Sequence, residues 1–266
     1  MALMNILKIN DESRGMFYIG LMDRIGIYDS GCGGLSVLNQ LIKQGFRGTV
    51  FYYGDTLNNP WGNKSKKELE KTLYTIADWF SKNQITTVYP GCNTTLGLFK
   101  DKLSQILHCP VATILDDTSH FYTDPQYSVL CTINSFNHHL FKQFLYQKTV
   151  EEIPCPNLAS LIESNQLSDA VNVALSMIDQ CSYSSIILGC THYPLIMDEL
   201  KKHCPNHVFI DPATYLKVNG TPQTKNKDID VHFKITGDPH AFKVLLNQFS
   251  LVHNVSINNQ RILQHQ

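Results

Sequence analysis

The chain lacks any hydrophobic run long enough to cross a bilayer. Its apolar stretches are short and interrupted, which excludes a transmembrane helix. It lacks a surplus of either charge, and a formal net charge of -1 gives no electrostatic basis for a nucleic-acid or membrane partner. There is no CxxC pair. The eight cysteines, at 32, 92, 109, 131, 155, 181, 190 and 204, lack the dense framework of a small secreted domain. The nearest approach to a metal box, Cys204-Pro205-Asn206-His207, has no second pair at zinc-finger spacing, and His138-His139 cannot share one helical face as ligands. No metal site is expected, and a reduced, cytoplasmic protein is. Residues 1–22 carry Lys8 and Arg14 but no continuous apolar stretch before small residues, so they read as an N-terminal extension or a translation-start artefact, not a secretion signal.

What is present is an ordinary globular balance, 43% hydrophobic and 17% charged residues in 266, enough for one or two domains. Short β-branched runs alternate with helical patterns. Strands are predicted at Ile25–Tyr28, Thr49–Tyr53, Ile85–Tyr89, Val111–Ile114, Tyr127–Ile133, Ser185–Leu188, His207–Ile210 and Val231–Ile235, with helices between them. Ser65 and Glu68 form a capping box before the stripe Leu69, Leu73, Ile76 and Phe80. Further helices are expected at about Thr94–Leu107 and His240–Phe249, and a loop at Val218–Asp228. Such alternation predicts an α/β fold with parallel sheets covered on both faces.

One internal similarity stands out. Thr86-Thr87-Val88-Tyr89-Pro90-Gly91-Cys92 aligns without gaps on Ser184-Ser185-Ile186-Ile187-Leu188-Gly189-Cys190, and each is followed by residues that start a helix. Ligands of open α/β sheets bind beyond the carboxyl ends of the strands, where helix N-termini begin. A cysteine there meets unsatisfied backbone N–H groups, which pull a thiol below its free pKa of about 8.5. A single Gly-Cys fits a buried inert cysteine; the pair points to chemistry. Two thiols facing each other across a substrate suit stereoinversion at a carbon acid, one removing a proton and the other delivering one to the opposite face.

At this point the residues carry a resemblance. From about Ile25 to Phe249 the chain resembles the glutamate racemase family, within the aspartate/glutamate racemase superfamily. The landmarks are the run from Ile27-Tyr28-Asp29-Ser30-Gly31-Cys32 to Val37; Tyr53-Gly54-Asp55-Thr56 leading to Pro60-Trp61-Gly62; Cys92-Asn93-Thr94; Cys155-Pro156 with Glu163; and Gly189-Cys190-Thr191-His192-Tyr193-Pro194. Each alone fits a structural role; five in order do not. His192 favours the glutamate branch.

The resemblance implies two similar parallel-sheet α/β domains related by pseudo-two-fold symmetry, with the active site in the cleft between them. The first would be 23–114 plus 228–266, and the second 115–227. It implies cofactor-independent racemisation of L-glutamate to D-glutamate, supplying peptidoglycan synthesis. Cys190 would be the base for the L-enantiomer and Cys92 for the D-enantiomer. Asp29 would be the polar partner of Cys92 and His192 that of Cys190, with Glu163 supporting the histidine. Ser30, Pro60, Trp61, Gly62, Asn93, Thr94, Thr132 and Thr191 would line the substrate pocket. Cys32, at a variable family position, is given no role. A homodimer is the family expectation.

The chain departs from the family pattern in four places. Trp61 stands for a tyrosine, one threonine before Thr132 is missing, Asp211-Pro212-Ala213 lacks a serine, and Tyr89-Pro90-Gly91 is unusual. These fall mostly on substrate binding, so a racemase of another amino acid, or a low-activity binding or regulatory homologue, stays open.

Overall fold

The structure is a computed structural model describing residues 24–99, 102–112, 115, 119–216, 229–249 and 261–263. The N-terminal extension and the Val218–Asp228 loop lie outside these residues. The first stretch contains β1 (Arg24–Asp29), α1 (Gly34–Lys43), β2 (Gly48–Gly54), α2 (Lys66–Lys82), β3 (Thr87–Pro90), α3 (Asn93–Phe99) and α4 (Leu103–Leu107). The middle contains β4 (Gln126–Cys131), α5 (Ile133–Asn137), α6 (Leu140–Phe144), β5 (Thr149–Pro154), α7 (Leu158–Glu163), α8 (Leu167–Ile178), β6 (Ser185–Leu188), α9 (Met197–His203) and β7 (Val208–Ile210). The chain then adds β8 (Ile229–Ile235), α10 (Pro239–Phe249) and β9 (Arg261–Leu263).

The strands form two sheets, β3-β1-β2-β8-β9 and β5-β4-β6-β7, and every pairing is parallel. The fold is therefore α/β with two parallel sheets, as the alternation of patterns predicts. Each sheet contains the same unit: its first strand sits between its second and third, β3-β1-β2 in one and β6-β4-β5 in the other. Chain reversal on either side of β1 and β4 opens a crevice at the carboxyl ends of the strands, and β3 and β6 lead the two Gly-Cys segments into those crevices. β1 and β6 are almost wholly buried, which is why both read as continuous apolar runs.

Local chemistry explains the helices. The Ser65 hydroxyl accepts the Glu68 N–H while the Glu68 carboxylate accepts the Ser65 N–H at 2.9 Å, fixing the start of α2. Such a cap is worth about 1 kcal/mol. Leu69, Leu73, Ile76 and Phe80 are then all buried.

The described residues differ from the expected pattern at several points. β5 is a strand that the pattern did not predict: Thr-Val-Glu-Glu-Ile-Pro carries two carboxylates and ends in proline. It is an edge strand whose Glu151 accepts from Ser128 and Ser182, and whose buried Glu152 accepts the Phe141 N–H at 2.9 Å at the start of α6. Of the strand expected at Val111–Ile114, Val111 forms a parallel bridge with Val88, while residues 113 and 114 lie outside the described residues. The helix expected at about Thr94–Leu107 is described as α3 and α4, with residues 100 and 101 outside the described residues and Lys102, at φ -120°, capping the start of α4. β9 was also unforeseen and extends the first sheet beside β8. All eight cysteines are free thiols. No helix among the described residues is long and apolar enough to cross a membrane.

Candidate active site

The two Gly-Cys segments occupy equivalent corners. Gly91 N–H donates to Tyr28 O on β1 at 2.7 Å, and Gly189 N–H donates to Leu130 O on β4 at 2.8 Å. A Cβ on Gly91 would lie 2.8 Å from Gly34 Cα and 2.9 Å from Tyr28 O. One on Gly189 would lie 2.8 Å from Leu130 O. Close backbone approach therefore dictates glycine at both positions. The residue after each cysteine reaches across to the other unit: Asn93 Nδ2 donates to Gly189 O at 3.0 Å, and Thr191 Oγ1 donates to Asp29 Oδ2 at 3.1 Å.

Cys92 and Cys190 are both buried and line one cleft. Ser30, Pro60, Trp61, Gly62, Asn93, Thr94, Thr132, Thr191 and His192 line the same cleft. Thr94 and Thr132 share a 3.1 Å hydroxyl–hydroxyl hydrogen bond across it. The cavity is only ≈ 20 Å³, room for about one water, so an amino acid enters only if the walls part. Asp29 and Glu163 stand behind the lining residues.

The electrostatics differ on the two sides. His192 Nδ1 lies 3.8 Å from Cys190 Sγ, and its Nε2 is 2.9 Å from Glu163 Oε2. Burial alone would push His192 down, but its hydrogen bonds to Cys190, Cys32 and Glu163 hold it well above the usual histidine value. Burial also opposes the Glu163 charge, yet His192 and the Cys32 N–H keep that carboxyl below its usual value. Burial lifts Asp29 to about 6 against the partial opposition of His192 and the Gly31 N–H. Cys92 is pushed up to about 12, first by burial and then by the Asp29 charge. The N–H groups of Thr94 and Thr95 favour the thiolate, as the corner position predicts, but burial outweighs them. Asp29 acts on Cys92 through its charge, while its carboxylate accepts from Gly31 N and Thr191 Oγ1.

No family model matches the chain. Curated relatives do. A glutamate racemase of Fusobacterium nucleatum is 32% identical over 249 residues, spanning 85% of this chain and 93% of the relative. One from Prochlorococcus marinus strain NATL2A is 30% identical over 260 residues, with 89% and 98% coverage. The chain belongs to the glutamate racemase family. It is thus an isomerase, an amino-acid racemase. Solved structures share the fold: the Bacillus anthracis glutamate racemase superposes with a TM-score of 0.76 at 22% identity, covering 92% of this chain and 97% of that one. An aspartate racemase from Picrophilus torridus is more distant, at a TM-score of 0.54 and 15% identity over 72% of this chain and 89% of its own.

Within this family frame the departures acquire physical form. Trp61 is 1% exposed, and its Nε1 donates to the buried Asp55 carboxylate at 3.0 Å, so its polar end is turned to the scaffold. Thr132 is the N-cap of α5, accepting the Ser135 N–H. Asp211 accepts the Ala213 N–H at 2.9 Å without the serine. Cleft residues not anticipated as substrate-binding are Asn63, Ile133, Cys155, Pro156 and Ala159. Cys155-Pro156 was visible as a landmark, whereas Ile133 and Ala159 carried no polar signal. Cys32 was also passed over; its backbone N–H donates to Glu163 Oε2 at 2.8 Å.

Proposed function

We propose that this racemase interconverts L- and D-glutamate by proton exchange between Cys92 and Cys190, supplying D-glutamate for peptidoglycan. Its two domains would be 23–114 plus 228–266, and 115–227. The observation that carries this reading is that both thiols line one cleft from symmetry-related corners, with a His192–Glu163 pair on the Cys190 side alone.

In this reading the two sides take unequal roles. Cys92, pushed up by burial and by Asp29, is a thiol and therefore an acid. Protonated His192 puts a positive charge 3.8 Å from Cys190 Sγ, where a thiolate base would form. In the L-to-D direction Cys190 then removes the α-proton, and Cys92 delivers its own to the opposite face. The reverse direction exchanges the roles. Carbanion character at the α-carbon is met by donors around the substrate carboxylate, for which Ser30, Thr94, Thr132 and Thr191 are placed in the lining. Asn93 Oδ1 is buried with no partner among the described residues and can accept from the substrate ammonium. Glutamate is favoured because the relatives are glutamate racemases, and one solved relative, from Francisella tularensis, is in complex with D-glutamate. The test is circular dichroism of L-glutamate and a panel of other amino acids with no cofactor added. Loss of optical activity with glutamate is expected; turnover confined to another amino acid would overturn the substrate assignment.

A further inference from the structure

Cys32 is a thiol that the proposed reaction does not use, yet the fold packs it against the reaction's polar support. One ligand atom each from Cys32, Glu163 and His192 lies within 4.8 Å of the other two. Cys32 and His192 are buried, while the Glu163 side chain keeps 14% of its surface exposed, which provides a path from solvent. Gly31 and Gly33 flank Cys32, and a Cβ on either would collide with Glu163 or His192, so the loop after β1 is shaped around those two side chains.

We propose that Cys32, Glu163 and His192 form a binding site for a thiophilic divalent cation, Zn²⁺ in particular, whose occupancy shuts the enzyme off. A thiolate, an imidazole and a carboxylate form a recognised zinc donor set, with bonds of about 2.0–2.3 Å and a fourth position left for water. Ligand atoms around such an ion stand roughly 3.5 Å apart. The His192–Glu163 contact of 2.9 Å must therefore open slightly, and the thiol must close in. The exchange balances. Zn–S, Zn–N and Zn–O bonds form; the Cys32 S–H bond and one N–H bond of the His192 imidazolium break; both protons leave to solvent. Two positive charges replace two protons, so the buried cluster keeps its net charge, and the three protein ligands take the place of waters that the ion sheds.

Occupancy would act in two ways. It breaks the His192–Glu163 hydrogen bond that orients the imidazole beside Cys190, an effect that rests on the two-thiol reading. It also ties the loop after β1 of the first sheet to α7 and the loop after β6 of the second. Because the cleft must open to admit substrate, that tie would block entry whatever the mechanism.

The test has a binding arm and an activity arm. Co²⁺ added to the protein as a Zn²⁺ surrogate should give a near-ultraviolet thiolate-to-cobalt absorption band, and buffered Zn²⁺ should abolish racemisation. C32A should lose the band and, relative to its own metal-free rate, need at least about tenfold more Zn²⁺ for half-inhibition, the least that loss of even an outer-shell partner costs. The isosteric C32S should behave likewise and covers the case in which C32A fails to fold. The double variant C92A/C190A, inactive but retaining Cys32, should keep the cobalt band. Inhibition of C32A and C32S at the wild-type Zn²⁺ concentration, or loss of the band in C92A/C190A, would place the metal on the cleft thiols and overturn the proposal. The cobalt band does not depend on turnover, so failure of the two-thiol reading would leave this arm decisive.

Discussion

Replacing Glu163 by glutamine isolates one charge. His192 Nε2 and the Cys32 N–H both meet the same oxygen, Oε2, at 2.9 and 2.8 Å. A glutamine that places its amide oxygen there keeps both hydrogen bonds and removes only the negative charge. Hydrogen bonds to charged groups contribute ~1.5–3 kcal/mol against ~0.5–1.5 for neutral ones, so the loss is about 1–2 kcal/mol. That corresponds to roughly 5–30-fold in an equilibrium or a rate. If imidazolium at His192 supports Cys190, kcat/KM of E163Q should fall by about that factor near neutral pH. Enantiomers have equal free energy, so it must fall equally in both directions. Without the carboxylate His192 is less easily protonated, and the alkaline limb of the pH–kcat/KM profile should move down by about one pH unit. Glu163 titrates below its ordinary value, so its contribution to stability is present above the normal glutamate range and is lost as pH falls through the lowered value. The stability gap between wild type and E163Q should therefore close in acid. Measuring both profiles separates a positioning role from a structural one. A stability loss of the expected size with an unmoved pH profile and less than about threefold change in kcat/KM would refute the reasoning.

Three further outcomes follow from the geometry. Asp29 titrates at about 6 in the fold against an ordinary 3.8, so its ionisation costs stability as pH rises between those values. The stability of wild type relative to D29N should then fall by about 2 kcal/mol between about pH 4 and about pH 7 in urea titrations; a pH-independent difference would contradict the burial argument. W61F removes the Nε1 donor from the buried Asp55, which keeps Asn58 and Thr236, and should cost about 1–3 kcal/mol in denaturant midpoint analysis. G91A forces a methyl against Tyr28 O and Gly34 and should destabilise by roughly 1–3 kcal/mol, whereas an unchanged thermal midpoint would mean that the corner has slack.

The parts of this molecule that were legible in its sequence are those governed by short-range pattern. β1 and β6 read as strands because both faces are covered, and α2 read as a helix because Ser65 and Glu68 cap it. The repeated Gly-Cys was legible because a glycine is required twice by the same approach to a neighbouring carbonyl. β5 was illegible for the converse reason: its glutamates are held by hydrogen bonds from other segments, which no local window contains. Cys32 was passed over because its partners lie 131 and 160 residues away, on α7 and beyond β6, and meet it only when the two sheets close. The donors at the Cys92 corner were legible in the sequence, but the burial that outweighs them is set by packing from distant segments, which no local window contains.

The most direct test is the fate of the α-hydrogen during the first turnovers of L-glutamate in deuterium oxide, with wild type, C92A and C190A compared and no cofactor added. Two opposed thiols predict D-glutamate that carries solvent deuterium from the outset, while the remaining L-glutamate stays protiated, and no inversion by either variant. Protium retained in the product, deuterium entering the unreacted substrate as fast as the product, or inversion that survives loss of a cysteine would contradict two-thiol transfer.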